Sequence, residues 1–194
     1  MDETARQQVL ALARQYDFEE GHSFQDAKLA SLLFEQTYDL HGLTDEYADL
    51  LELAAILHDI GYWHDYWNHH KHAFRMIMAA ELPALTAREK LIVANVARYH
   101  RSARPKLKHQ GFAALNLDDR EVVLKLGSIL RLADGLDRTH ICAVQDLWVE
   151  WLGNTIIIWL YPPTGNEIEQ WAGQKKSRFF QEVFGVTVRV LPTQ

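Results

Sequence analysis

The sequence predicts a mainly α-helical protein: a helical bundle over residues 1–141, followed by a small β-β-α-β appendage over residues 142–194 that packs on it. Three observations carry this expectation. Apolar residues recur at three- and four-residue spacing through the first 140 positions. The nearly unbroken apolar run Leu50–Leu57 (LLELAAIL) has no polar face to present to water, so its helix belongs in the middle of a bundle. From residue 145 the chain turns β-branched and aromatic (QDLWVEWLGNTIIIWLY), with Gly153-Asn154 at its centre as a hairpin turn.

Each element has its own signal. Residues 2–17 place Val9, Leu10, Leu12, Ala13 and Tyr16 at helical spacing, and residues 22–41 do the same with Phe24, Ala27, Leu29, Leu33, Phe34 and Tyr38. Gly42 is a stop, and Thr44 with Asp45 a cap for a helix over 45–59 that Gly61 terminates. Residues 60–68 (IGYWHDYWN) form an aromatic loop, whose Trp63, Tyr66 and Trp67 plug the end of the bundle or stack on a planar ligand. A helix over 69–81 follows, then Pro83, and a capping box from Thr86 to Glu89 opens a helix to residue 100. Residues 101–117 make a basic loop, and Val122, Val123, Leu126, Ile129, Leu130 and Leu132 mark a helix over 119–138. Pro162-Pro163 end the hairpin, 166–182 return to helical spacing, and 184–191 (FGVTVRVL) alternate as a strand.

Composition narrows the functional classes. With 48% hydrophobic residues, the 194-residue chain is too apolar to be disordered. No apolar run approaches the roughly 18 residues of a membrane span, and the N-terminus lacks the basic, apolar, small-residue order of a signal peptide. Cys142 is the one cysteine, which excludes an intrachain disulfide or a cysteine-based zinc site, so a cytoplasmic protein is expected. The net charge of −6 argues against an extended nucleic acid as partner. That charge is unevenly placed: residues 1–60 hold thirteen acids and three bases, whereas 90–117 hold six bases and no acid. A cationic surface on an acidic body suits a small phosphorylated molecule. A homodimer is compatible with the same composition.

Histidine is the compositional outlier, with ten in all and five (His58, His64, His69, His70, His72) within fifteen residues. His58-Asp59-Ile60-Gly61 closes the most apolar helix, where an imidazole and a carboxylate are costly to bury unless paired or metal-bound. Imidazole nitrogen with carboxylate oxygen suits Zn, Mn, Fe(II) or Mg. His22, His100 and Asp134 likewise mark helix ends or packed faces with apolar flanks. His41 and His109 are expected in solvent, His140 on the carbonyls of the last helix, and Cys142 as a small buried side chain.

The order His22, His58-Asp59, Asp134 resembles the H…HD…D order of the HD-domain metal-dependent phosphohydrolases, and LRLADGLDR resembles their last ligand-bearing helix. The stretch HHKHAFRMIMAAELPALTAREKLIVANVARYHRSARPK is similar to the C-terminal HD region of exopolyphosphatase/guanosine pentaphosphate phosphohydrolase (Ppx/GppA-like) proteins, and so is the tail from YPPTGNEIEQ to FGVTVRVL. Those proteins carry an actin-like N-terminal catalytic domain for which these residues leave no room, so exopolyphosphatase activity is not expected to carry over. The resemblance implies an HD-type bundle with one or two divalent ions (Mn, Mg, Fe or Zn). His22, His58, Asp59 and Asp134 hold one. Asp59 bridges to a second held by His100 and one of His69, His70 and His72, with His69 favoured for reach. It implies hydrolysis of a phosphate monoester or diester in a nucleotide or another small phosphorylated metabolite, with Asp59, His64 and His100 as catalytic candidates. Lys71, Arg101, Arg104 and Arg138 neighbour these positions in sequence and are the candidates for binding phosphate. The rival implication is a non-catalytic HD-type module that binds a nucleotide or a partner protein.

Overall fold

The computed structural model describes residues 3–193; positions 1, 2 and 194, at the outer ends of the two predicted segments, lie outside it. Helix α4 (Asp45–Leu57) forms the axis of the bundle, with Leu51, Leu53, Ala54, Ala55, Ile56 and Leu57 all essentially inaccessible. Around it pack α1 (Glu3–Arg14), α2 (Glu20–Gln36), α6 (Ala87–Arg98) and α8 (Leu117–Leu136), while α5 (His69–Ala79) lies against α6. The chain is mainly α. Among the described residues, no helix is long and apolar enough to cross a membrane.

Local chemistry accounts for several helix ends. Thr86 and Glu89 form the reciprocal capping box: the Glu89 N–H donates to Thr86 Oγ1 at 3.2 Å, and the Thr86 N–H donates to Glu89 Oε2 at 2.8 Å. Asn116 caps α8 by accepting from the Asp119 N–H at 2.7 Å, so that helix opens before the predicted residue 119. Thr44 stands at the N-cap of α4, but its side chain makes no capping bond. The predicted helix over 22–41 is two helices, α2 and α3 (Tyr38–His41), parted at Thr37, whose hydroxyl turns back onto the Leu33 carbonyl at 2.7 Å. Gly42, at φ +60°, ends α3 in the left-handed region. The basic loop contains one short helix, α7 (Gln110–Ala113).

Strands β1 (Asp146–Leu152) and β2 (Thr155–Tyr161) form the expected antiparallel hairpin around Gly153. The chain then returns through α9 (Glu167–Lys176) and α10 (Arg178–Phe184) to β3 (Thr187–Pro192), which pairs parallel to β2 with Thr155 opposite Thr187. The predicted helix over 166–182 is thus divided at Ser177, and the strand begins three residues late because α10 runs to Phe184. Both α9 and α10 pack on α8, and β1 packs on α2. Ile156, Ile158, Leu160, Val188 and Val190 join the same continuous core as the bundle.

Several expectations are corrected here. Trp63, Tyr66 and Trp67 are 60%, 55% and 73% exposed, so the aromatic loop lies over the bundle end without plugging it. Cys142 is exposed. His109 is half-buried, its Nδ1 2.8 Å from the Tyr99 hydroxyl. His41 is buried, because the α2–α3 break folds it back under α2. Its Nε2–H donates to the Phe34 carbonyl at 2.8 Å, while its Nδ1 accepts the Leu43 N–H at 2.9 Å. A proton on Nδ1 would face that N–H. Burial, with Lys125 nearby, holds this imidazole below its usual pKa, although its bond to Phe34 opposes the shift. As pH falls below about 6.5 the unfolded chain therefore takes up a proton at position 41 that the folded chain refuses, and stability drops by at most about 1.4 kcal/mol per pH unit for that one proton. In urea unfolding at pH 7.5 and 5.5, wild type is expected to lose more stability across the interval than His41→Gln.

Candidate metal centre

Five helix ends and turns deliver the candidate residues to one point. His22 lies in the first turn of α2, His58 and Asp59 follow α4, and His69 opens α5; His100 follows α6 and Asp134 lies in the last turn of α8. A 3-10 turn, Ile60–Trp63, links Asp59 to the aromatic loop. Gly61 explains how α5 comes so close: a Cβ there would sit 1.9 Å from the His69 carbonyl oxygen and 2.7 Å from the Ala73 nitrogen. Only glycine lets the first turn of α5 rest on this turn, with the His69 ring beside Asp59.

The four imidazoles share one orientation logic. Nδ1 of His58, His69 and His100 lies 2.6, 2.7 and 2.6 Å from the carbonyls of Ala55, Tyr66 and Ala97, and Nδ1 of His22 lies 2.8 Å from Asp137 Oδ2. A carbonyl only accepts, so each of those Nδ1 atoms carries the hydrogen and leaves Nε2 as a bare lone pair in the neutral ring. All four Nε2 atoms point inward. Asp59 stands between them: Oδ2 lies 3.3 Å from His58 and 3.8 Å from His22, while Oδ1 lies 3.4 Å from both His69 and His100. His22 Nε2 is 4.0 Å from Asp134 Oδ1. The Nε2 atoms of His69 and His100 are 3.2 Å apart, two lone pairs facing each other if both rings are neutral. His22 Nε2, His58 Nε2, both oxygens of Asp26 and Oδ1 of Asp59 are buried without a hydrogen-bond partner.

Charge is held in tension here. Burial alone would raise the Asp59 carboxyl, but His58, His100 and His69 around it keep it well below the usual carboxylate range. Burial opposes charge on His58 too, yet Asp59, Asp26 and Asp134 push that imidazole up to about 10. His100 is driven down to about 3, chiefly by burial and then by His58. Asp134 is held at about 2 against burial by Lys176 and the histidines; Lys176 Nζ donates to its Oδ2. Bare, the cluster keeps a proton on His58. A divalent cation would replace that proton and meet the orphaned lone pairs, so the donor set fits one.

Beside the cluster opens a cleft of about 520 Å³, lined by Asp59, His69, His100 and Asp134 and by Arg101, Arg104, Arg131, Arg138, Lys175, Lys176 and Arg178. Arg104 is bound by Glu182 at 2.8 and 2.7 Å, and Arg101 donates to the Trp67 carbonyl at 2.9 Å. Buried Arg131 is spent on the carbonyls of Tyr99 and Ala103. Arg138, Lys175 and Arg178 have no carboxylate partner among the described residues. Two sequence candidates fall elsewhere. His64 is exposed in a separate cleft with Tyr16 and Arg75, its ring 5.2 Å from His72. Lys71 is exposed and donates to Asn68 at 2.9 Å, because two residues along a helix from His69 is roughly 200° around it. Of His69, His70 and His72, it is His69 that reaches Asp59.

The structure adds residues that the sequence reading missed. Asp26 follows His22 by one helical turn, a spacing that could have flagged it; Asp137 and Lys176 left no local signal. The His140 backbone N–H donates to the carbonyl of Asp137, which ends α8, at 3.1 Å, but its side chain turns elsewhere. Its ring stacks on His22 at 3.6 Å and 6°, and its Nδ1 lies 2.7 Å from Glu19.

Fold and site together define a helical-bundle protein whose helix ends converge on a buried imidazole–carboxylate centre. The chain belongs to the Ppx/GppA phosphatase family: residues 5–154 match that family's domain III. No curated protein matches it. The matched stretch contains all six candidate ligands, whereas Lys175, Lys176 and Arg178 of the cleft lie beyond it.

Gly61→Ala is expected to force α5 off the 3-10 turn at a cost of roughly 1–3 kcal/mol or more. Differential scanning calorimetry should show a lower melting temperature, whereas Gly21→Ala, with no atom near its added Cβ, should leave it unchanged or raised.

Proposed function

We propose that this protein is a metal-dependent phosphohydrolase of HD type, acting on a nucleotide or another small phosphorylated metabolite in the cytoplasm. The observation that carries this reading is the convergence of four Nε2 lone pairs on buried carboxylates that have too few protein cations to neutralise them. His22, His58, Asp59 and Asp134 would hold one divalent ion, and Asp59, His69 and His100 a second. Such an ion lowers the pKa of bound water and offsets charge on phosphoryl oxygens.

The chain's own residues supply the rest. The backbone carbonyls on three Nδ1 atoms lock the rings, so the donors need little reorganisation. Arg138, Lys175 and Arg178, without a carboxylate partner among the described residues, would neutralise phosphate, and Arg101 lines the same cleft. Tyr62, Tyr66 and Trp171 line the same cleft and offer aromatic faces to a planar ring.

The test is metal content together with hydrolysis of phosphomonoesters and diesters. Wild type is expected to retain Mn, Fe, Zn or Mg and turn over, and Asp59→Ala to lose turnover by about a hundredfold or more, since even outer partners of such ligands cost 10–100-fold. A wild-type protein that takes up none of these ions and hydrolyses nothing would overturn the reading.

One observation favours a non-catalytic nucleotide- or protein-binding module: the Lys176 ammonium gives Asp134, a candidate ligand, a countercharge from the protein itself. On that reading, nucleotide binding persists unchanged in a His58→Ala/Asp59→Ala variant and no turnover accompanies it.

A further inference from the structure

We propose that Asp26 is a direct ligand of the inner ion, which makes that site a three-carboxylate, two-imidazole centre selective for a hard, high-coordination divalent cation such as Mn²⁺ over Zn²⁺. The inference rests on the metal reading above and departs from the H…HD…D set, in which this position has no part.

Asp26 is fully buried, and neither of its oxygens has a hydrogen-bond partner. Its Oδ2 lies 3.5 Å from His58 Nε2 and 3.6 Å from His22 Nε2, themselves both orphaned. Those separations are too long for a shared proton to make a normal hydrogen bond. They are shorter than about 4.0–4.4 Å, twice the usual ligand distance of a small divalent ion, so one cation could serve all of them. Donor atoms of His22, Asp26, His58 and Asp134 all lie within 4.8 Å of one another.

The nearby protein groups are already engaged. Lys176 binds Asp134 through Oδ2, and Asp137 is held by His22 Nδ1 and by the Cys142 N–H at 2.9 Å. What remains beside Asp26 is the inward-facing Nε2 atoms of His22 and His58. A divalent cation at that point would meet both the hydrogen-bonding and the charge requirements of this carboxylate. Asp26 stands in one group with His22, His58 and Asp134, and Asp59 Oδ2, 3.3 Å from His58 and 3.8 Å from His22, would add a fifth donor, so that three of the five are charged oxygens. Closed zinc sites use four ligands and favour nitrogen or sulfur, whereas oxygen-rich, higher-coordinate sets suit Mn²⁺ and Mg²⁺.

The experiment strips the full chain of metal and titrates it with Mn²⁺ and with Zn²⁺ by calorimetry. It also records the Mn²⁺ electron paramagnetic resonance spectrum, for wild type and Asp26→Asn. The asparagine keeps the shape but removes the charge; Asp26→Ser serves in its place should circular dichroism show the first variant unfolded. The expected result is the loss of one Mn²⁺ per chain or at least tenfold weaker binding, a smaller loss for Zn²⁺, and an altered Mn²⁺ spectrum. Equal loss for both ions, or wild-type affinities in a folded variant, would overturn the role of Asp26 while leaving the metal reading intact. A wild type that binds neither ion would overturn both.

Discussion

The position of Asp59 constrains everything around it. One carboxylate is buried among four imidazoles from four separate segments, each ring fixed through its other nitrogen. To deliver those rings, α2, α4, α5 and α6 must begin or end at one level, and α8 must end there too. Such a cluster is weak support for the fold, because much of what its pairing returns is spent on removing the charges from water. Stability comes from the apolar packing along α4 and its neighbours, and the centre is carried at one end of that packing. Gly61 shows how little latitude there is: the missing side chain is what allows α5 to close the ring around Asp59.

Features set by contiguous residues were legible in the sequence. The apolar period of α4, the Thr86–Glu89 box and the Gly153 turn all act within a few residues, and each stands where expected. Helix breaks were harder to read. At Thr37 a hydroxyl competes with the helix for a carbonyl, and at Ser177 two helices meet that share one apolar period. His41 was misplaced because its burial follows from the first of those breaks.

The centre divides in the same way. His22, His58, Asp59, His69, His100 and Asp134 could be named in advance because a family order runs through them. Asp26 carried only a weak local signal. Asp137 reaches His22 from 115 residues away, and Lys176 reaches Asp134 across 42. Such partners are products of tertiary folding. Conversely, His64 and Lys71 lie close to the ligands in sequence but point away, because proximity along the chain says nothing of direction.

The cleft and the rest of the molecule differ in sign. The chain as a whole carries −6, while Arg138, Lys175 and Arg178 line the cleft with no carboxylate partner among the described residues. At physiological ionic strength a charge is screened beyond about 8 Å. An approaching anion is therefore neither drawn from afar nor strongly repelled, and meets the positive wall only once it is almost in place. Discrimination happens at contact. Dilute salt lengthens the reach of the negative body as well as that of the wall, so it should speed the arrival of anions less than it would for a uniformly basic protein.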